Sequence, residues 1–172
     1  MSSTNKSCKD EEGEPVDTKL YRGMIGSLLY LTASRPDLSL SVGICARYQA
    51  KPKKSHLEAT KRIIRYVKGT TNLGIYYSKG SNGNLPGNCN ADWAGNVDDR
   101  KSTSGGCFFL ENNMIAWLSK KQNSVSLSTA ETEYIAMGSC CTTMAWILDH
   151  FWSTVTTRGP STLTFDITTS GN

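Results

Sequence analysis

The periodicity of the apolar residues changes at Gly69, and this change constrains the fold more than any other feature of the chain. Before Gly69, leucine, isoleucine, methionine and valine recur at the three- and four-residue spacing of amphipathic helices. After it come short β-prone runs separated by glycine- and asparagine-rich turns, and one more helical pattern follows these runs. The pattern predicts helices, then strand, strand, strand, helix and strand. We therefore expect a mixed α/β chain.

The helical region is predicted to contain three helices. Arg35-Pro36-Asp37 separates the first two, because proline is tolerated only in the first turn of a helix. The third helix is expected to begin with a capping box at Ser55 to Glu58 and to end at Gly69. The predicted inward faces are Leu20, Met24, Leu28 and Leu31 in the first helix; Leu38, Val42 and Cys45 in the second; and Leu57, Ile64 and Val67 in the third.

The second region is predicted to hold strands at 88–93, 106–110 and 114–118, followed by a helix and a strand at 162–166. Ser128 and Glu131 form a capping box that marks the start of this helix. The predicted domains are a disordered polar lead-in at 1–16, a helical domain at 17–79 and a sheet domain at 86–172.

Composition restricts the cellular setting. The 172 residues contain no apolar run approaching the roughly 18 residues that a membrane-spanning helix needs, and the N-terminus lacks an apolar leader. We expect a chain without a signal peptide that resides in the cytoplasm or nucleus and does not contact membranes. Six cysteines without a C-x-x-C pair, and only two histidines, argue against a zinc site and favour thiols as small buried side chains.

Positive charge is concentrated in residues 51–68, which carry seven basic side chains and the single acid Glu58. On a helix, Lys61, Arg65 and Lys68 form a stripe that can neutralise nucleic-acid phosphates without reading sequence, and Tyr48 and Tyr66 could stack on bases. A solvated helix face is the alternative. The residues predicted to contact nucleic acid are Lys53, Lys54, Lys61, Arg62, Arg65, Lys68, Arg100 and Lys101.

Four acids are candidates for a metal site: Asp92, Glu131, Glu133 and Asp166. They belong to the first strand, the following helix and the last strand, whose ends can converge in an α/β sheet. Such a cluster could hold two divalent metals about 4 Å apart and activate water against a phosphodiester. The alternative for Glu131 is a capping role, because acids at helix starts are favoured by the helix dipole.

Longer motifs identify a family. The chain from 17 to 150 closely resembles the junction of reverse transcriptase and ribonuclease H in copia-type retrotransposon Pol polyproteins, those of plants above all. The strings that resemble the end of reverse transcriptase are YRGMIGSLLYLT at 21–32, SRPD at 34–37 and ATKRIIRYVKGT at 59–70. Those that resemble ribonuclease H are DWAG at 92–95, DDRKSTSG at 98–105, SKKQ at 119–122 and LSTAETEYIA at 127–136.

The resemblance implies a helical reverse-transcriptase connection followed by a truncated ribonuclease H-like unit with a three-stranded antiparallel sheet, a helix and a fourth strand. In that family the unit cuts the RNA strand of RNA–DNA hybrids with magnesium. The family's helix acid falls on Glu133, so that Glu131 is the capping acid. Its next-strand aspartate falls on Asp166, although Ile167 replaces the Asn that follows. The metal ligands implied are Glu133 and Asp166.

At one position the chain differs from the family's pattern in a way that changes the expected activity. The family's first catalytic aspartate falls on Asn90, and Asp92 matches the second acid of the same string. An amide supplies one neutral oxygen where a carboxylate supplies two and a charge, so magnesium is not expected to bind stably. We expect an inactive Pol fragment that contacts RNA–DNA hybrid or duplex and could associate with an intact reverse transcriptase. The alternatives are a retained nucleic-acid- or protein-binding module, or a residual nuclease that uses Asp92, Glu133 and Asp166.

Overall fold

A computed structural model describes residues 8–79, 84–155 and 165–169, the last segment and residues 150–155 by backbone alone. These residues form two compact units. The first, called the helical unit, holds the described residues up to Ile75 together with Asn96–Arg100. The second, called the sheet unit, holds those of Tyr76–Gly95 and those from Lys101 onward. Helices and strands are both present, so the predicted mixed α/β class is confirmed.

The helical unit contains the three predicted helices. They are α1 (Thr18–Leu31), α2 (Ser39–Ala46) and α3 (Lys54–Gly69), with a 3-10 turn over Pro36–Leu38 before α2. The carboxylate of Asp17 accepts the Lys19 backbone N–H at 2.8 Å and so caps α1. α3 ends at Gly69, as predicted.

The core of the helical unit differs from the predicted faces in α1. The predicted inward residues of α2, Leu38, Val42 and Cys45, are all buried. In α1, however, Leu20 is 58% exposed, and Tyr21 is buried in its place. The Tyr21 hydroxyl donates to the Cys45 carbonyl at 2.9 Å, and this bond allows a polar atom to enter the core. Burial raises the pKa of Tyr21 to about 12.

The start and inward face of α3 also differ from prediction. The helix begins at Lys54, before the predicted cap Ser55, and the Lys53 backbone N–H donates to Nδ1 of His56 at 3.0 Å. His56 and Thr60 are buried on the inward face, while Ile64 is 39% exposed. The predicted inward position of Ile64 is therefore wrong, because the buried stripe includes two polar residues that a hydropathy pattern omits.

Residues 8–16 are hydrogen-bonded to the chain around the start of α3, whereas the sequence predicts a disordered lead-in over 1–16. The Val16 N–H donates to the Pro52 carbonyl at 3.2 Å, and the Lys54 N–H donates to the Glu14 carbonyl at 2.9 Å. Pro15 and Lys53 form an isolated antiparallel bridge. These bonds give the segment a defined path along the helical unit.

The sheet unit contains β1 (Leu85–Ala91), β2 (Thr103–Leu110), β3 (Asn113–Lys121), α4 (Thr129–Val155) and β4 (Phe165–Thr169). The strand order is β3-β2-β1-β4; β1 to β3 are antiparallel, and β4 is parallel to β1. Residues 162–164 of the predicted last strand lie outside the described residues. Within the described chain, no helix combines the length and apolarity that crossing a bilayer requires.

α4 packs on the sheet through a core that includes Cys89, Phe108, Cys140 and Met144. The Cys140 thiol lies against Gly106 of β2 and donates to the Gly105 carbonyl at 3.9 Å. A Cβ added at Gly106 would lie 2.6 Å from the Cys140 sulfur. Burial raises the pKa of Cys140 to about 12, so the thiol stays protonated and acts as a small apolar group.

This contact predicts that Gly106→Ala and Cys140→Ala compensate each other. Each single substitution should lower the free energy of unfolding, by about 1–3 kcal/mol for the overpacked Gly106→Ala. In the double variant, the new methyl group fills the space that the sulfur leaves, so we expect a favourable coupling of about 1–2 kcal/mol. Urea unfolding of the four chains measures the coupling, and additive effects would contradict the proposed contact.

Candidate functional site

Glu133 reaches from the first turns of α4 to the end of β1. Its Oε1 accepts the Ala91 backbone N–H at 3.2 Å. Its Oε2 is buried and has no hydrogen-bond partner among the described residues. The neighbouring Asn90 side chain is exposed on β1. The structure therefore places a carboxylate next to the strand position where the resemblance puts the family's first aspartate.

Asp92 has a local structural role. Its Oδ1 accepts a hydrogen bond from the Thr103 backbone N–H at the start of β2. Gly95 approaches the same carboxylate so closely that an added Cβ would overlap it. Both contacts orient the Asp92 side chain toward its own turn, and a Gly95 side chain would have to displace it. The fixed carboxylate explains why an aspartate and a glycine stand three residues apart in the DWAG string.

Asp166 lies on β4, and only its backbone position is described. In the parallel pair of β1 and β4, Asp166 is the partner of Pro86. Asn90 is four residues further along β1, which corresponds to about 13 Å at 3.3 Å per residue. The strand register therefore does not place Asp166 opposite Asn90.

Glu131 occupies the predicted capping position at the start of α4. Its backbone N–H donates to the Ser128 hydroxyl at 3.1 Å, and its carboxylate accepts the Leu127 N–H at 2.7 Å. These two bonds satisfy backbone donors at the helix start. The capping interpretation of Glu131 is confirmed.

The described side chains do not fit a two-magnesium centre. No three Asp, Glu, His or Cys side chains in the described part of the chain lie close enough to share an ion. Glu133 offers one oxygen that is free of hydrogen bonds, Asn90 is neutral, and the Asp92 carboxylate is bound to Thr103. Among the described side chains, two divalent ions would meet less negative charge than such a centre needs.

α3 presents the second candidate site, a basic face called the α3 stripe. Its members are Lys61, Arg62, Arg65 and Lys68, all exposed. Within the described residues, none of these four side chains pairs with a carboxylate. A groove of 390 Å³ is lined by Glu58, Lys61, Ile64 and Arg65, so aliphatic surface lies beside two of the cations. The arrangement suits an anionic ligand with apolar groups.

The other predicted contact residues are placed differently. The Lys53 ammonium donates to the Gly13 carbonyl at 2.8 Å, and Lys54 pairs with Glu14 at 3.0 Å. The hydrogen bond that the Lys54 ammonium donates to the Glu14 carboxylate, together with the charge of Glu14, raises the pKa of Lys54. Arg100 and Lys101 are consecutive residues between β1 and β2. Arg100 belongs to the helical unit and Lys101 to the sheet unit.

The two tyrosines that were predicted to stack on bases, Tyr48 and Tyr66, both contact other side chains of the helical unit. Tyr48 is 8% exposed and stacks on His56 with ring centroids 4.2 Å apart. The Tyr66 hydroxyl donates to Asp37 Oδ2 at 3.0 Å, and the Arg35 guanidinium lies 5.9 Å from the Tyr66 ring centroid. These contacts contradict the prediction that Tyr48 is available to stack on bases.

Arg35 has a role that the sequence pattern does not reveal. Its guanidinium donates twice to the Asp37 carboxylate, at 2.9 and 2.8 Å, and also to the Thr70 carbonyl at 3.1 Å. The hydrogen bonds from Arg35 lower the pKa of Asp37. The SRPD string thus joins the break before α2 to the end of α3. In the sequence, the spacing of arginine and aspartate two residues apart is the feature that could have indicated the Arg35–Asp37 ion pair.

The described residues define a class of protein, an α/β chain of two units. One unit carries a basic helix, and the other carries a partly buried glutamate whose carboxylate accepts the backbone N–H of the strand residue after Asn90. The retrovirus-related Pol polyprotein of transposon RE1 from Arabidopsis thaliana is 43% identical over 131 residues, 76% of this chain and 9% of the polyprotein. An uncharacterized mitochondrial protein of the same plant is 41% identical, over 76% of this chain and 54% of its own length. The chain thus spans less than two thirds of either relative.

A third relative, named secreted RxLR effector protein 161, comes from Plasmopara viticola. It is 37% identical over 128 residues, which make up 74% of this chain and 90% of that protein. No family model and no solved structure matches the chain. Over about three quarters of its length the chain is thus similar to retrovirus-related Pol polyproteins of transposons, at 41–43% identity, which confirms the resemblance seen in its motifs.

Proposed function

We propose that the chain corresponds to the junction of reverse transcriptase and ribonuclease H in a copia-type Pol polyprotein, and that its ribonuclease H-like unit is catalytically inactive. One observation carries the proposal of inactivity. The Glu133 carboxylate accepts the N–H of Ala91 at the end of β1, and the residue before Ala91, where the resemblance puts an aspartate, is Asn90. A neutral amide at this position cannot help to balance two divalent cations.

The sheet topology supports the ribonuclease H-like part of the proposal. Three antiparallel strands are followed by α4, and β4 then lies parallel beside β1, in the order that the resemblance implies. Glu133 on α4 contacts the end of β1 at Ala91. This contact lies where the family's helix acid and first strand would meet.

The test is cleavage of a labelled RNA–DNA hybrid in magnesium or manganese. We expect the purified chain to give no cleavage above the buffer background, with an intact ribonuclease H as positive control. Asn90→Asp should not restore cleavage, because the β4 register pairs Asp166 with Pro86 and Asp92 is bound to the Thr103 N–H.

Glu133→Gln is the matched control, because a glutamine amide oxygen can still accept the Ala91 N–H. Metal-dependent cleavage by the unmodified chain that disappears in Glu133→Gln would overturn the proposal and favour a residual nuclease. Cleavage that persists in Glu133→Gln would come from a contaminating enzyme.

A second candidate function is sequence-independent binding of nucleic acid through the α3 stripe. It is favoured by four exposed cations that have no carboxylate partner in the described chain. Such a surface binds phosphates with a steep dependence on salt. The relative from Plasmopara viticola consists almost wholly of the matched region, which supports a role for this region as a separate module.

A further inference from the structure

An acidic segment lies against the N-terminal end of the basic helix. Residues 10–14 carry four acids, Asp10, Glu11, Glu12 and Glu14, around a single glycine. The Glu14 carboxylate pairs with the Lys54 ammonium at 3.0 Å, and the Asp10 carboxylate accepts the Ser55 hydroxyl at 2.5 Å. The segment thereby places negative charge at the start of α3.

The segment is anchored by backbone groups and by one buried histidine. The Lys53 ammonium donates to the Glu11 and Gly13 carbonyls at 3.3 and 2.8 Å. Nδ1 of His56 accepts the Lys53 N–H, so Nε2 carries the ring proton and donates to the Cys8 carbonyl at 2.7 Å. None of these bonds uses the side chain of Glu11 or Glu14. Their carboxylates can therefore be neutralised while the anchor remains.

Lys54 is the N-terminal continuation of the α3 stripe. It precedes Lys61 by seven residues, which is two helical turns and about 10.5 Å along the axis, so both lie on the same side of α3. The screening length is about 10 Å at 0.1 M salt. The Glu14 carboxylate therefore neutralises one end of the stripe and acts on phosphates bound near Lys61.

We propose that residues 10–14 form an autoinhibitory contact that competes with nucleic-acid phosphates for the N-terminal end of the α3 stripe. The proposal rests on the second candidate function, nucleic-acid binding by α3. A phosphate backbone that follows the stripe from Lys68 to Lys54 must replace Glu14 at the Lys54 ammonium, and it comes near Glu11, whose carbonyl accepts the ammonium of the adjacent Lys53. Neutralising these two acids removes both the competitor and the repulsion.

The experiment compares the full chain with the variant Glu11→Gln, Glu14→Gln. The probe is a fluorescein-labelled 20-base-pair DNA duplex, titrated by anisotropy between 50 and 200 mM NaCl. We expect the Kd at 50 mM to fall about three- to tenfold, because two like charges are removed within about one screening length of the phosphates. Freeing Lys54 should also steepen the slope of log affinity against log salt by about 0.9.

The charge-matched control is Glu111→Gln, Asp149→Asn, which removes the same two charges from the sheet unit. Its Kd should change less than twofold. An unchanged Kd and slope in Glu11→Gln, Glu14→Gln, while the unmodified chain binds through α3, would overturn autoinhibition alone. An equal gain in the control would overturn it too, since the effect would then follow net charge. If no chain binds the duplex, the binding function itself fails, and the inference fails with it.

Discussion

Charge reversal of Lys61, Arg65 and Lys68 to glutamate is expected to lower the affinity for a DNA duplex at least about 100-fold at 50 mM NaCl. The three side chains recur at spacings of four and three residues on the outward side of α3, and all are exposed. Each phosphate contact contributes about 0.9 to the slope of log affinity against log salt, so the slope should fall by about 2.7.

Anisotropy titrations of the labelled duplex at four salt concentrations give both quantities. The charge-matched control reverses Lys19, Lys79 and Lys120, which are exposed and lie outside α3. The control should retain most of the salt slope. An unchanged slope in the α3 variant would leave the stripe as a solvated helix face, and equal losses in both variants would indicate an effect of net charge.

Sequence periodicity predicted the helices better than it predicted their buried faces. In α2 and the 3-10 turn before it the apolar spacing was sufficient, because the three residues that it selects, Leu38, Val42 and Cys45, all belong to the buried hydrophobic core. In α3 the buried face includes His56 and Thr60, whose polar atoms are hydrogen-bonded: the Thr60 hydroxyl donates to the His56 carbonyl at 3.0 Å, and His56 Nε2 bonds to the Cys8 carbonyl at 2.7 Å. A hydropathy pattern excludes such residues because it does not register their hydrogen bonds.

For the candidate catalytic residues, the sequence predicts some side-chain positions and not others. Sequence motifs predicted that Glu133 stands near the end of the first strand, and its bond to the Ala91 N–H places it there. The local role of Asp92 was not predictable, because it depends on the turn that brings the Thr103 N–H and Gly95 to the carboxylate. The position of Asp166 depends on strand register, which residue spacing does not determine.

In the sheet unit, we expect substitution of Phe108 to have a large effect on the free energy of unfolding. This side chain is fully buried, and its strand partners are Gly87 on β1 and Ala116 on β3. A Cβ added at Gly87 would lie 3.1 Å from Phe108 Cδ1. The ring therefore fills space that two small neighbours leave, and α4 covers it with Met144.

Phe108→Ala should lower the free energy of unfolding by about 3–5 kcal/mol, because neither Gly87 nor Ala116 has a side chain that can move into the cavity. This is a large part of the roughly 5–15 kcal/mol that stabilises a typical domain. Phe109, the next residue on β2, is only partly buried, so Phe109→Ala is the matched control and should cost less than half as much. Urea unfolding followed by tryptophan fluorescence measures both changes. Equal losses in the two variants would contradict the packing, since Phe108 would then not be the residue that joins β1, β2 and α4.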